Sequence, residues 1–261
     1  MSEPIRLNKF LAAAGVCSRR RADGLIASGR VFVSGHRVTE LGCKVDPEKD
    51  KVEVEGVGLV SVAGRPLYIM LNKPVRVISS VSDPQNRKTV VDFLPREIRT
   101  QRIYPIGRLD YYSQGLILLT NDGDLAHKLT HPGFEHPKTY EIKIREKVSK
   151  EALDRMRLGM TLREGDRLAP AQVKRIPGKE QSTRLEMTIT QGVNRQIRRM
   201  CRDEGLTILR LERTAHSGIV LGDLPPGKWR HLSPEEVNGL KKAGSDENRG
   251  SCPQSSGKAQ D

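Results

Sequence analysis

The chain has 261 residues, 36% of them hydrophobic, and 45 Lys and Arg against 32 Asp and Glu give a formal charge of +13. Counting its 24 glycines, the apolar share is about 45%, enough for a packed core in one large domain or two modest ones. No apolar run reaches the ~20 residues of a membrane span, the start MSEPIRLNKF lacks the apolar stretch of a secretory signal, and Cys17, Cys43, Cys201 and Cys252 form no C-x-x-C pair. These features predict a cytoplasmic protein without a disulfide framework or zinc site, and the charge favours a polyanionic partner, nucleic acid ahead of a membrane surface.

In chain order, Leu7, Phe10, Leu11 and Ala14 recur at helical spacing and predict an amphipathic helix stopped by Gly15. Ser18 is placed to cap a second helix, with Ala22, Leu25 and Ile26 on its apolar face and Gly29 at its end. Val31 and Val33 with the turn Ser34-Gly35 predict a short strand and hairpin. Short β-like pieces at Lys51–Glu55 and Leu59–Val62 follow, and Gly64-Arg65-Pro66 reads as a linker between domains. Beyond it, strands are predicted at Leu67–Leu71, Gly115–Leu119, Thr139–Ile144, Thr183–Thr190 and Thr207–Arg213, and helices at Gly123–Leu129, Lys150–Arg157 and Asn194–Glu204. Tyr140-Glu141-Ile142-Lys143-Ile144 and Leu185-Glu186-Met187-Thr188-Ile189 alternate apolar and polar residues, as half-buried strands do. Tyr104–Asp110, with its Pro and Gly, reads as a loop, and residues 241–261 lack large apolar side chains and read as disordered.

Residues 5–37 hold seven Lys or Arg against Asp23 alone, a net +6 in 33 residues. Arg19, Arg20 and Arg21 fall in the first turn of the second predicted helix, at the positive end of its dipole, an arrangement easier to understand if they meet phosphates. The run RLNKFLAAAGVCSRRRADGLIASGRVFVSGHRV resembles the S4 RNA-binding domain in residue types and spacing. The resemblance implies a basic face for structured RNA and makes Arg6, Lys9, Arg19, Arg20, Arg21 and Arg30 the candidate RNA-binding residues.

Taken alone, Asp110 reads as a turn residue or ion-pair partner beside a buried strand. Its surroundings, GRLDYYSQGLILLTNDG, resemble the catalytic motif of RNA pseudouridine synthases, in the branch whose rRNA members carry an S4 domain. LNKP at Leu71–Pro74, HPKTYEIKI at His136–Ile144 and QGVNRQIRRM at Gln191–Met200 agree, in the family's order. The reaction breaks the N1–C1′ bond of uridine, turns the uracil and joins C5 to C1′. One carboxylate suits it, as nucleophile at C1′ or as base at the sugar. The resemblance implies that Asp110 is that carboxylate, Tyr140 the aromatic residue beside the uracil and Arg198 the cation that keeps the carboxylate ionised. It further implies that Ile197 lines the base pocket and that Arg108 contacts phosphate or fills the gap left by an extruded nucleotide. Arg195 and Arg199 complete the candidate substrate-binding set. Ser113 stands where the family commonly has Thr, and Val193 where it usually has Arg or Lys, which puts one phosphate contact in doubt.

The sequence therefore predicts an α+β protein. A small S4-like domain occupies residues 5–63, and a synthase domain with a central mixed, largely antiparallel sheet flanked by helices occupies 67–232. The expected partner is ribosomal RNA, with the large subunit preferred on the form of the third motif and the ending LPPGKWR, and the expected state is a monomer. No cofactor or metal is expected, since the reaction is an internal rearrangement and His127 and His131 lack a zincin's Glu. A non-catalytic rRNA-binding assembly factor is the competing reading.

Overall fold

The computed structural model describes residues 3–62, 64–131, 133–178 and 183–243. They divide into two compact units. One holds the described residues up to Ala126 together with Leu224–His231; the other runs from His127 to Asp223 and resumes at Leu232.

The first unit opens with β1 (Ile5–Arg6), α1 (Leu7–Ala13) and α2 (Arg19–Ala27). Ser18 caps α2 as its position predicted, its hydroxyl accepting from the Arg21 N–H at 3.3 Å. Then come β2 (Val31–Val33), β3 (His36–Val38), β4 (Lys44–Val45), β5 (Val52–Val54) and β6 (Gly58–Val60). Strands β3, β2, β5 and β6 form an antiparallel sheet in that order, and β1 pairs with β4. The helical stripe and the strand valines share one core: Leu7, Phe10, Leu11, Ala22, Ile26, Val31, Val52 and Val54 are all buried. The periodicity that predicted the helices is thus the periodicity of burial.

After the linker, β7 (Tyr68–Lys73) leads through a 3-10 turn at Val90–Phe93 and α3 (Arg96–Arg99) to β8 (Tyr104–Ile106) and β9 (Gln114–Thr120). β7 and β9 are buried almost throughout and pair antiparallel, Leu71 opposite Ile117; β8 pairs with β9, Pro105 opposite Leu119. The strand Trp229–His231 adds to β7, and the buried Asn72 amide donates to the Leu224 carbonyl at 2.7 Å. Tyr104–Ile106 is therefore a strand where the sequence predicts a loop. It is a short edge piece, where a proline without an N–H is tolerated.

Helix α4 (Gly123–Thr130) leads into the second unit, with β10 (Lys138–Ile144), α5 (Lys150–Leu158), β11 (Gln172–Ile176), β12 (Thr183–Ile189), α6 (Gln196–Asp203), β13 (Ile208–His216) and β14 (Ile219–Val220). β11, β12, β10 and β13 lie side by side in that order, each pair antiparallel. Ile142, Ile144, Leu185 and Met187 fill the buried face, as the alternation predicts. A register shift between Thr139 and Tyr140 leaves Tyr140 opposite Arg213 and Lys138 opposite His216. α7 (Pro234–Ala243) covers the first three residues of the segment the sequence predicts to be disordered, a correction to that boundary; residues 244–261 lie outside the described residues. Its start carries a capping box: the Ser233 N–H donates to Glu236 and the Glu236 N–H to the Ser233 hydroxyl.

Candidate active site and RNA-binding surface

Asp110 lies in the loop joining β8 to β9, and the backbone of that loop is held along most of its length. The Ser79 hydroxyl donates to the Leu109 carbonyl at 2.8 Å and accepts from the Leu109 N–H at 3.1 Å. The Arg76 N–H donates to the Tyr111 carbonyl at 2.6 Å, and the Ser113 N–H to the Asp110 carbonyl at 3.0 Å. Beneath the loop, the fully buried Lys73 donates to the Ser113 carbonyl at 2.7 Å and to that of Pro74 at 3.0 Å. A buried ammonium is costly unless its protons are used, so Lys73 and the loop constrain each other. Asp110 itself is half-buried, Leu109 before it is buried and Arg108 is exposed. Tyr111 packs edge-on against Tyr112 at 5.1 Å and lies under Arg87, which is forked onto Asp83. That fork holds the Asp83 carboxyl at about 2.

In the second unit, Tyr140 is buried on β10 between Met187 of β12 and Arg213 of β13. Two residues earlier, Lys138 donates to the carbonyls of His136 and Thr190 at 2.9 and 3.2 Å. Burial first and the Arg213 guanidinium second push its ammonium down to about 8. His136 and His216 are buried nearby, and burial lowers the pKa of both rings, Arg213 and Lys138 adding to the effect at His216.

Helix α6 carries the remaining candidates and separates them. Ile197 is buried with Met200 and Cys201, on the inner face. Arg198 is half-buried and lies close enough to Cys201 to oppose the burial that raises that thiol to about 12. Arg199 points elsewhere: it donates to Glu164 at 2.9 Å and to Asp166, while Arg202 pairs with Glu164 at 2.6 Å and with Asp203. The two guanidiniums hold Glu164 at about 2. Arg195, exposed and with φ of 50°, occupies the left-handed N-cap position of α6.

On the S4-like module, Arg19, Arg20 and Arg21 are exposed in the first turn of α2, and none of the three makes an ion pair among the described residues. Arg6 is exposed ahead of α1, Arg30 donates to Glu55 at 3.1 Å, and Lys9 pairs with Asp124 at 2.7 Å. So Arg6, Arg19, Arg20 and Arg21 retain open charge, while Lys9, Arg30 and Arg199 are already matched by carboxylates. Sequence reasoning assigned no role to Lys73, Ser79, Lys138 or Arg213. The first lies within the motif LNKP, and its place at the end of the apolar run IML is a further signal.

Residues 67–203 match the RNA pseudouridylate synthase family and residues 5–52 the S4 domain. The chain is 44% identical over 238 residues to ribosomal large subunit pseudouridine synthase B of Bacillus subtilis, covering 90% of this chain and 95% of that one. It is 39% identical to the dual-specificity RNA pseudouridine synthase RluF of Escherichia coli K12, over 91% of this chain and 79% of the relative. A crystal structure of a pseudouridylate synthase superposes with a TM-score of 0.65 at 28% identity, covering 90% of this chain and 99% of the other. With its S4 module, its α+β fold and a synthase motif in the loop between β8 and β9, this chain belongs to the RNA pseudouridine synthase family.

Proposed function

We propose that the chain isomerises a uridine of ribosomal RNA, in the large subunit, to pseudouridine, as a cytoplasmic monomer that uses no cofactor. Residues 5–63 grip folded RNA, and residues 67–232 carry out the chemistry. The observation that carries this reading is the clamped loop around the half-buried Asp110, whose backbone is fixed from Leu109 to Ser113. A reaction that detaches a base and rejoins it needs one carboxylate held in place at the sugar and exclusion of competing water.

In this mechanism the uridine leaves its stack and its uracil lies against Tyr140 and Ile197, with Arg108 contacting the RNA it leaves. Ionised Asp110 acts at the sugar, as nucleophile at C1′ or as base. As nucleophile it bonds C1′ while the N1–C1′ bond breaks and is displaced when C5 of the turned uracil joins C1′; as base it takes a sugar proton while N1–C1′ breaks and returns it when C5 joins C1′. The C5 proton then departs with help from the Tyr140 hydroxyl or a water, and N1 gains a proton, so no net atoms enter or leave. Arg198 is assigned the task of keeping Asp110 charged, and Arg195 and Arg199 that of binding RNA near the site, though Arg199 must first exchange Glu164 and Asp166 for phosphate. The preference for the large subunit is supported by the 44% identity to a synthase named for it.

The test is release of tritium from [5-³H]uridine in rRNA. Wild type should release it, and Asp110→Asn should not while still binding RNA. Release by Asp110→Asn would overturn the assigned chemistry; none by wild type from any rRNA would favour the assembly-factor reading.

A further inference from the structure

The first unit contains a second junction that the mechanism leaves unused. Helix α1 ends without a basic residue in its last turn, so its C-terminal carbonyls, at the negative end of the dipole, have no cation of their own. Arg102, ninety residues along the chain, supplies one: its Nη1 donates to the Ala12 carbonyl at 2.6 Å. Its Cδ lies beside Gly15, 4.0 Å from where a Cβ there would stand, and the positive φ of 85° at Gly15 turns the chain out of α1. Its charge also reaches Cys17, working against the burial that raises that thiol. Arg102 is itself in the left-handed region, φ 53°, a conformation that the surrounding contacts must hold. A second contact joins the same two modules, Lys9 of α1 with Asp124 of α4 at 2.7 Å.

Arg102 lies just before β8, and Asp110 lies just beyond that strand's other end. β8 is registered on the buried β9 over Tyr104–Ile106, so it acts as a strut of about 10 Å at the usual strand rise. The basic N-terminal module thus grips one end of a short rigid strand whose other end carries the catalytic loop. The chain passes from one module to the other by way of Gly64, where φ is 140° and no atom of the described residues lies within 4 Å of the position a side chain would take.

We propose that Arg102 is a positioning residue that fixes the distance and direction from the S4-like RNA grip to Asp110, and so selects which uridine of a folded RNA is modified. This rests on the proposed function. Two linked contacts with one RNA reinforce each other only when their spacing matches, and the benefit vanishes for an RNA too short to touch both.

The experiment compares two substrates in the full-length protein: rRNA, and a stem-loop cut to the uridine that wild type modifies, too short to reach the N-terminal module. Tritium release should fall at least about tenfold in kcat/KM on rRNA for Arg102→Ala and stay within about twofold on the stem-loop, the size expected when linked sites lose their spacing. Arg102→Lys, which can still donate to Ala12, should recover part of the loss. Pseudouridine mapping of rRNA treated with Arg102→Ala should show stray sites. Equal loss on both substrates, or no loss on either, would overturn the proposal. If wild type turns over neither RNA, the functional reading fails instead.

Discussion

The buried Lys73 ammonium is bonded to the Ser113 carbonyl, 40 residues along the chain and three residues past Asp110. It ties the last residue of β7 to the far end of the loop that carries Asp110. Lys73→Met keeps the stem and removes every donor, leaving the Ser113 and Pro74 carbonyls without that partner. Each buried acceptor so deprived costs about 1–3 kcal/mol, so the protein should unfold at lower denaturant and the loop should loosen. The expected kinetic result is a kcat reduced by at least about tenfold with little change in KM for RNA, since the proposed RNA grip is on the N-terminal module. Unchanged kcat in folded Lys73→Met would separate this bond from catalysis.

Ser79 makes the complementary tie at the near end of the loop, using its one hydroxyl to satisfy both backbone groups of Leu109. Ser79→Ala should cost about 1–2 kcal/mol in denaturant unfolding, because two buried groups lose a partner. Its effect on kcat should be smaller than that of Lys73→Met, since no charge is lost. Equal stability of Ser79→Ala and wild type would show that water replaces the hydroxyl there.

Much of this frame is legible in the sequence, and what is not has a physical reason. Helices α1 and α2 are visible because Leu7, Phe10, Leu11, Ala22 and Ile26 repeat at the helical period and all bury into one core. β10 and β12 are visible because their alternation is their burial pattern. β8 is hidden by Pro105, since the sequence does not say that the strand lies at an edge. β11 and Trp229–His231 bury few side chains and so print little pattern. α7 does leave a signal in the sequence, Ser233 and Glu236 at capping-box spacing. At the candidate site, resemblance to known motifs singles out Asp110 and Arg198, but residue type and helical position alone do not tell Arg198 from Arg199. Their difference lies in Glu164 and Asp166, more than thirty residues away, and only the fold brings them to one of the two.

The exposed trio Arg19, Arg20 and Arg21 sits where a helix dipole repels cations, and no carboxylate among the described residues offsets that cost by an ion pair. Replacing all three by Ala should leave stability unchanged or slightly raised and weaken RNA binding. The plot of log affinity against log salt should flatten by about two to three, as fewer counterions are released. Binding measured across a salt series checks this, and an unchanged slope would remove these residues from the RNA contact.

Acid should destabilise the second unit through His216. The ring is fully buried opposite Lys138, its two nitrogens have no hydrogen-bond partner among the described residues, and Arg213, Lys138 and His136 surround it. Burial, with these neighbours, lowers its pKa well below the ordinary 6.5, so the folded ring stays neutral where the unfolded one takes up a proton. Below pH 6.5 the unfolded state therefore binds more protons, and stability must fall as pH drops until the folded ring also protonates. His136 contributes in the same direction, its pKa lowered chiefly by burial. His216→Leu removes the larger of these two burdens along with two unsatisfied nitrogens, so denaturant unfolding between pH 7 and 5 should show a shallower acid loss than in wild type. An identical acid limb in the variant would place the sensitivity in another group.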